Sequence, residues 1–158
     1  MYLSNRFSRR FVGASAVSLF ALAVPMTGQS PALAQLPTSG SLSVDISGLK
    51  NSDAQVCLSL FDGSAGFPDD SEAVVATQCV DASTPTATFE SLSMGTYAVT
   101  VFHDENGDGQ INRGTFGIPT EGFGFSRNPE IGTSAPKFYE TAIFVFGETT
   151  TQIDMIYF

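Results

Sequence analysis

An all-β domain, built as an antiparallel sandwich, is the fold class this sequence predicts, and three observations predict it. Apolar and polar residues alternate with period two through most of the chain after residue 40. Clusters of Gly, Pro, Asn, Asp and Ser interrupt that alternation at short intervals, and no convincing helical repeat occurs beyond the first 34 residues. With 158 residues, 42% of them hydrophobic, the chain has the size of one domain with a real core.

Residues 1–34 read as a secretory signal: a basic start, an apolar run over 11–24, and a Pro25-led segment ending in Ala32-Leu33-Ala34. Cleavage there leaves Gln35 first. A transmembrane anchor is the competing reading, but the run falls short of the roughly 20 residues a span takes. Ser8-Arg9-Arg10-Phe11-Val12 also resembles a twin-arginine export signal. No cysteine near the cleavage point offers a lipid attachment site. The expectation is an exported domain, periplasmic or extracellular, with no membrane span in its mature part.

A linker at 35–40 leads into the first predicted strand, 41–47, with Leu42, Val44 and Ile46 on one face. A second run, 55–61, sets Val56, Leu58 and Leu60 opposite Cys57, Ser59 and Phe61. Residues 62–72 read as a loop with one helical turn, and 74–81 as the third strand. Strands follow at 86–92 and 96–103. The latter places Tyr97, Val99, Val101 and His103 on one face and Ala98, Thr100 and Phe102 on the other, so it belongs centrally. The last two strands are expected at 138–146 and 151–157, joined as a hairpin by Gly147-Glu148-Thr149-Thr150. Seven strands of this spacing suit an immunoglobulin-like or transthyretin-like sandwich, with a closed barrel as the alternative. Residues 106–137 form one long loop, of a length that is usually functional or ordered by something.

Charge narrows the partners. Three of the seven basic residues lie in the first ten positions, which leaves four against sixteen acidic residues, a formal charge of −12 after the leader. Such a surface repels phosphate backbones, so nucleic acid is excluded as a partner, and it favours cations. Cys57 and Cys79 are the only two cysteines, and an exported chain with one pair is expected to bond them.

The sharpest motif follows the central strand. Asp104, Asn106 and Asp108 stand at positions one, three and five of a calcium loop, with Gly109 at six, Gln110 at seven and Asn112 at nine. Ile111 is expected to anchor the loop to the core. Position twelve holds Thr115 in place of a bidentate glutamate, and Glu121 or Glu105 is the nearest replacement. The same residues also make strong turns without any ion. His103, the only histidine, reads as a packed or hydrogen-bonded strand end, since a lone histidine is a poor zinc site and no serine lies in a nucleophile context. Sixteen acids leave a carboxylate-based hydrolase open. Finally, Phe116, Phe123 and Phe125, on a glycine-rich backbone, either meet a partner or tuck the long loop onto the domain.

The runs Gly95-Thr96-Tyr97-Ala98-Val99, Phe102-His103-Asp104-Glu105-Asn106-Gly107-Asp108-Gly109 and Gly117-Ile118-Pro119-Thr120-Glu121-Gly122-Phe123-Gly124-Phe125-Ser126 resemble the exported bacterial family called domain of unknown function 2141. The similarity extends from about Leu42 to Tyr157, including Ala135-Pro136-Lys137-Phe138. It implies a β-sandwich in the cell envelope or outside, without an assigned activity. The resulting expectation is a calcium-stabilised binding or structural module. Its partner is an extracytoplasmic protein, a glycan or a small apolar ligand; a small carboxylate hydrolase or carbohydrate-active enzyme is the second reading.

Overall fold

The computed structural model describes residues 39–158; the expected leader at 1–34 and most of the 35–40 linker lie outside the described residues. The described part is mostly β, arranged in two sheets. One has three strands in the order β4-β1-β8: β4 (Thr86–Ser93), β1 (Ser39–Ser47) and β8 (Glu148–Asp154). The other has five, with β3 (Ala76–Asp81), β2 (Gln55–Phe61), β5 (Gly95–Asp104) and β6 (Phe123–Phe125) in that order, and β7 (Ile143–Val145) also paired to β5.

Period-two patterning explains the core. Leu42, Val44 and Ile46 of β1 and Ile153 of β8 meet Val56, Leu58 and Leu60 of β2 and Val99 and Val101 of β5 in one buried cluster. Each such side chain contributes about 1.5–3 kcal/mol of burial. The other face of the five-stranded sheet is apolar as well. The pairings Cys57↔Phe102 and Phe61↔Ala98 across β2 and β5, and Phe102↔Phe123 and Thr100↔Phe125 across β5 and β6, place these residues together there. A sheet with two apolar faces needs a second cover, and the loops at 62–72 and 126–138 supply part of it. Phe67 stacks edge-on against Phe61, Phe125 and Phe138, with centroids 5.1, 6.3 and 5.8 Å apart.

Three expectations are corrected. Among the described residues the strands number eight rather than seven, because 123–125 inside the long loop pairs with β5. Residues 138–146 are not one strand. A helical turn, α1 (Phe138–Thr141), comes first, closed by the Lys137 amide donating to Glu140 Oε2 at 2.6 Å and by Thr141 Oγ1 donating to the Phe138 carbonyl at 2.9 Å. Only Ile143–Val145 is extended. The expected hairpin at 147–150 is absent too. β7 pairs antiparallel with β5, and the chain crosses at Gly147 (φ 62°) to the other sheet, where β8 runs parallel to β1 from Ser41↔Glu148 to Ser47↔Asp154. The β-branched Thr149, Thr150 and Thr151 suit a strand as readily as a turn, and the open flank of β1 decides between them. The sheets are therefore not wholly antiparallel.

β6 and β7 share one flank of β5, and Ser126 fills the gap between them. Its amide donates to the Val99 carbonyl at 2.9 Å and its Oγ accepts from the Val99 amide at 3.0 Å, while donating to the Thr141 carbonyl at 2.6 Å. After β8, Phe123 and Ile156 exchange backbone hydrogen bonds of 3.0 and 2.8 Å, which ties the two sheets together along that side.

Cys57 and Cys79 form a disulfide between directly opposed residues of β2 and β3, with Cα atoms 4.1 Å apart. It closes a separation of 22 residues, worth about 3 kcal/mol in the chain-entropy model. Replacing both cysteines with serine is expected to lower the urea unfolding free energy by about that amount. A loss under about 1 kcal/mol would show that the sheet alone fixes this edge.

Candidate acidic loop and aromatic cleft

β5 delivers two fully buried polar residues at its end, His103 and Asp104. His103 Nε2 lies 2.9 Å from the Asp53 carbonyl, which only accepts, so Nε2 carries the proton. In the neutral ring Nδ1 then accepts from Tyr157 Oη at 2.8 Å, and the same hydroxyl accepts from the Lys50 amide at 3.1 Å. Burial raises the Tyr157 phenol above its ordinary range, and the charge of Glu105 adds to this, while the Lys50 amide opposes it. The lone histidine is a clamp between the strand end and the chain after β8.

Asp104 organises the turn that follows. Its Oδ1 accepts from the amides of Gly107 and Asp108 at 2.8 and 3.1 Å, and its Oδ2 from the Gly109 amide at 2.9 Å and Gln55 Nε2 at 2.8 Å. To aim three amides at one carboxylate the backbone must coil tightly, and Gly107 and Gly109 adopt φ of 76° and 75°, where a Cβ is costly.

The rest of the loop closes on itself. Asn106 Nδ2 donates to Asp108 Oδ2 at 2.9 Å and to Asn112 Oδ1 at 2.7 Å, and Asn112 Nδ2 donates to Asp108 Oδ2 at 3.0 Å. Hydrogen bonds from Asn112, then Asn106, then the Gln110 amide hold the Asp108 carboxyl below its usual range. Buried Glu121 reaches back to accept from the Asn112 amide at 2.8 Å. Asp104, Asn106, Asp108, Asn112 and Glu121 are thus brought into one network, whereas Gln110 joins through its backbone alone and Glu105 turns toward His103, 3.6 Å from Nδ1. Among the described residues no group of three or more His, Cys, Asp or Glu side chains is placed to hold a metal, so the loop's oxygen donors are a mixture of acids and amides.

The chain then turns into a finger, 113–119, closed by a bridge between Arg113 and Pro119 and by the Gly114 amide donating to the Ile118 carbonyl at 2.8 Å. Phe116 sits on it with φ 63° and 95% of its surface exposed. Ile111, expected to reach the core, is half-buried and lines a cleft instead. The cleft has a volume of about 660 Å³ and lies over the outer face of β5 and β6, with the finger as one lip and residues 131–135 as the other.

All three phenylalanines singled out from the sequence line this cleft, but they differ in role. Phe123 is 7% exposed and Phe125 half-buried, both seated on the sheet, while Phe116 is free. Phe158 joins them, 5.5 Å from the Phe123 ring. The only charged side chains in the lining are Arg113 and Asp69, and they pair at 2.9 Å, with the other Arg113 nitrogen donating to the Gly117 carbonyl at 3.0 Å. Sequence reading missed Arg113 and Phe158; the one available cue was that Arg113 is the only basic residue between Lys50 and Arg127.

These features define a β-rich domain of two sheets whose central strand carries a hydrogen-bonded acidic loop at its end and an aromatic cleft on its outer face. The model of the family domain of unknown function 2141, described as an uncharacterized protein conserved in bacteria, matches residues 44–154, and the chain belongs to that family. No curated protein and no solved structure matches it. Among the described residues no helix is long and apolar enough to cross a membrane.

Proposed function

We propose that this is an exported binding module, periplasmic or extracellular, whose contact surface is the cleft and whose acidic loop is held by calcium. The observation that carries the reading is the aromatic cleft. Buried apolar residues explain a core, whereas a cleft of about 660 Å³ rimmed by a 95% exposed phenylalanine leaves apolar surface in water and fits a ligand. We read the two layers as an immunoglobulin-like or transthyretin-like sandwich with β8 added parallel to β1.

Calcium suits the donor set, since it takes six to eight hard oxygens from carboxylates, amides and carbonyls in flexible geometry. Asn106, Asp108 and Asn112 would offer them on the exposed side, with Asp104 and Glu121 holding the backbone behind. The ion would order the chain that runs on through Ile111 and Arg113 into the finger. An incomplete acidic shell belongs near the extracellular affinity range of about 0.1–1 mM. Millimolar calcium is expected to raise the melting temperature of the wild type and to leave Asp108→Ala unmoved; an unshifted wild type sinks the calcium half of the reading. The hydrolase alternative gains no support, because the carboxylates nearest the loop, Asp104 and Glu121, are engaged by backbone amides rather than facing a substrate space.

A further inference from the structure

We propose that the cleft takes an uncharged, apolar small molecule. The inference rests on the reading of the cleft as the contact surface and adds the class of ligand. About 660 Å³ falls within the roughly 300–1,000 Å³ of small-ligand sites. A peptide strand has no ladder to join at this point: one side of β6 is paired with β5, and Phe123 exchanges both its backbone hydrogen bonds with Ile156. A glycan would need many directional polar partners for its hydroxyls, and the lining is dominated by Phe, Ile, Pro, Val and Gly. Charge is excluded from both directions. The two charged side chains of the lining, Arg113 and Asp69, pair with each other, and Arg113 also donates to the Gly117 carbonyl, so the lining offers an ionic ligand no unpaired charge. The four basic against sixteen acidic residues beyond the leader add a field that repels anions.

Phe116 supports the same class. A non-glycine residue at φ 63° is strained, and this one holds its ring in water at the cleft rim. A ligand lying on Phe123 and Phe125 and capped by Phe116 covers the ring and contacts aromatic faces and edges throughout.

Two dyes that share a skeleton test the proposal. N-phenyl-1-naphthylamine is neutral, and 1-anilinonaphthalene-8-sulfonate is its anionic relative. The neutral dye is expected to brighten and bind, and the sulfonate to bind at least about tenfold more weakly. Gly132 lies on the far lip with open space around its Cβ position and without a positive φ, so Gly132→Trp adds a bulky ring at the cleft rim with little strain. That variant should weaken the neutral dye by about tenfold or more at an unchanged melting temperature. Phe116→Ala, at a ring too exposed to matter for folding, should weaken it severalfold. Equal binding of both dyes, blocked by Gly132→Trp, overturns the ligand class and leaves the cleft as the binding surface; displacement of the neutral dye by maltohexaose does the same in favour of a glycan. No dye binding, or binding indifferent to both variants, overturns the cleft reading itself.

Discussion

Asp104→Ala is expected to destabilise the domain by about 3–5 kcal/mol, far more than any other change in the acidic loop. The carboxylate is fully buried and accepts four hydrogen bonds, three from consecutive amides at Gly107, Asp108 and Gly109 and one from Gln55. A hydrogen bond to a charged group contributes about 1.5–3 kcal/mol. The four are not additive, because the loop amides can turn to water once released, so the total stays well below their sum. Asp108 provides the contrast. It lies on the exposed side of the same network, so Asp108→Ala without calcium should cost far less than the Asp104 change. Urea unfolding in the presence of a chelator measures both, and amide exchange at Gly107 and Gly109 should accelerate only in the Asp104 variant. Equal losses at the two positions would mean that the loop is organised from its exposed side.

That contrast marks how far the loop could be read in the sequence. Spacing alone places Asp104, Asn106, Asp108 and Asn112 on one tight turn, because the period of a coiled loop is written in residue numbers. It leaves Glu121 and Glu105 equal as the nearby acid, and only the fold brings Glu121 to the Asn112 amide and turns Glu105 toward His103. Nor does spacing show the division of labour. Asp104 is spent on amides and Asp108 is open, since a fully buried strand end carries the first and solvent surrounds the second. The strands divide in the same way. β1 and β3 alternate, and β2, β4 and β5 are extended apolar-rich runs bounded by turn residues, so all five are legible, but β6 contributes only Phe-Gly-Phe inside a glycine-rich stretch. Three residues give no periodicity; the free flank of β5 recruits them. The parallel pairing of β8 with β1 is likewise a decision of tertiary packing, because Glu-Thr-Thr after Gly147 satisfies turn and strand rules equally well. In the cleft, the aromatic residues of the glycine-rich stretch were visible as a group. Which of them face outward depends on the register Phe102↔Phe123 and on the finger, and Phe158 arrives from a distant part of the chain.

Gly122→Ala is the second change expected to have a large effect, about 3 kcal/mol, and its cause lies at the joint between loop and cleft. A Cβ on Gly122 would run into two atoms of the Tyr157 ring and stand 2.8 Å from its hydroxyl. Gly122 itself is pinned, because its carbonyl accepts from the His103 amide at 2.8 Å, so the tyrosine must give way. Its departure strips Nδ1 of a fully buried histidine of its partner and releases the Lys50 amide. Overpacking costs about 1–3 kcal/mol and an unsatisfied buried group about as much again. The mechanism is separable from a generic glycine effect by a double-mutant cycle. In a Tyr157→Ala background the ring is gone, and adding Gly122→Ala should cost less than about 1 kcal/mol, a coupling of about 2 kcal/mol by urea unfolding. Additive losses would place the strain in the backbone at residue 122 instead. Glu121, which holds the acidic loop, and Phe158, which lines the cleft, flank the two clashing residues in sequence. Gly122→Ala should therefore also weaken the neutral dye, by moving Phe123 and Phe158, which follow the two clashing residues and line the cleft.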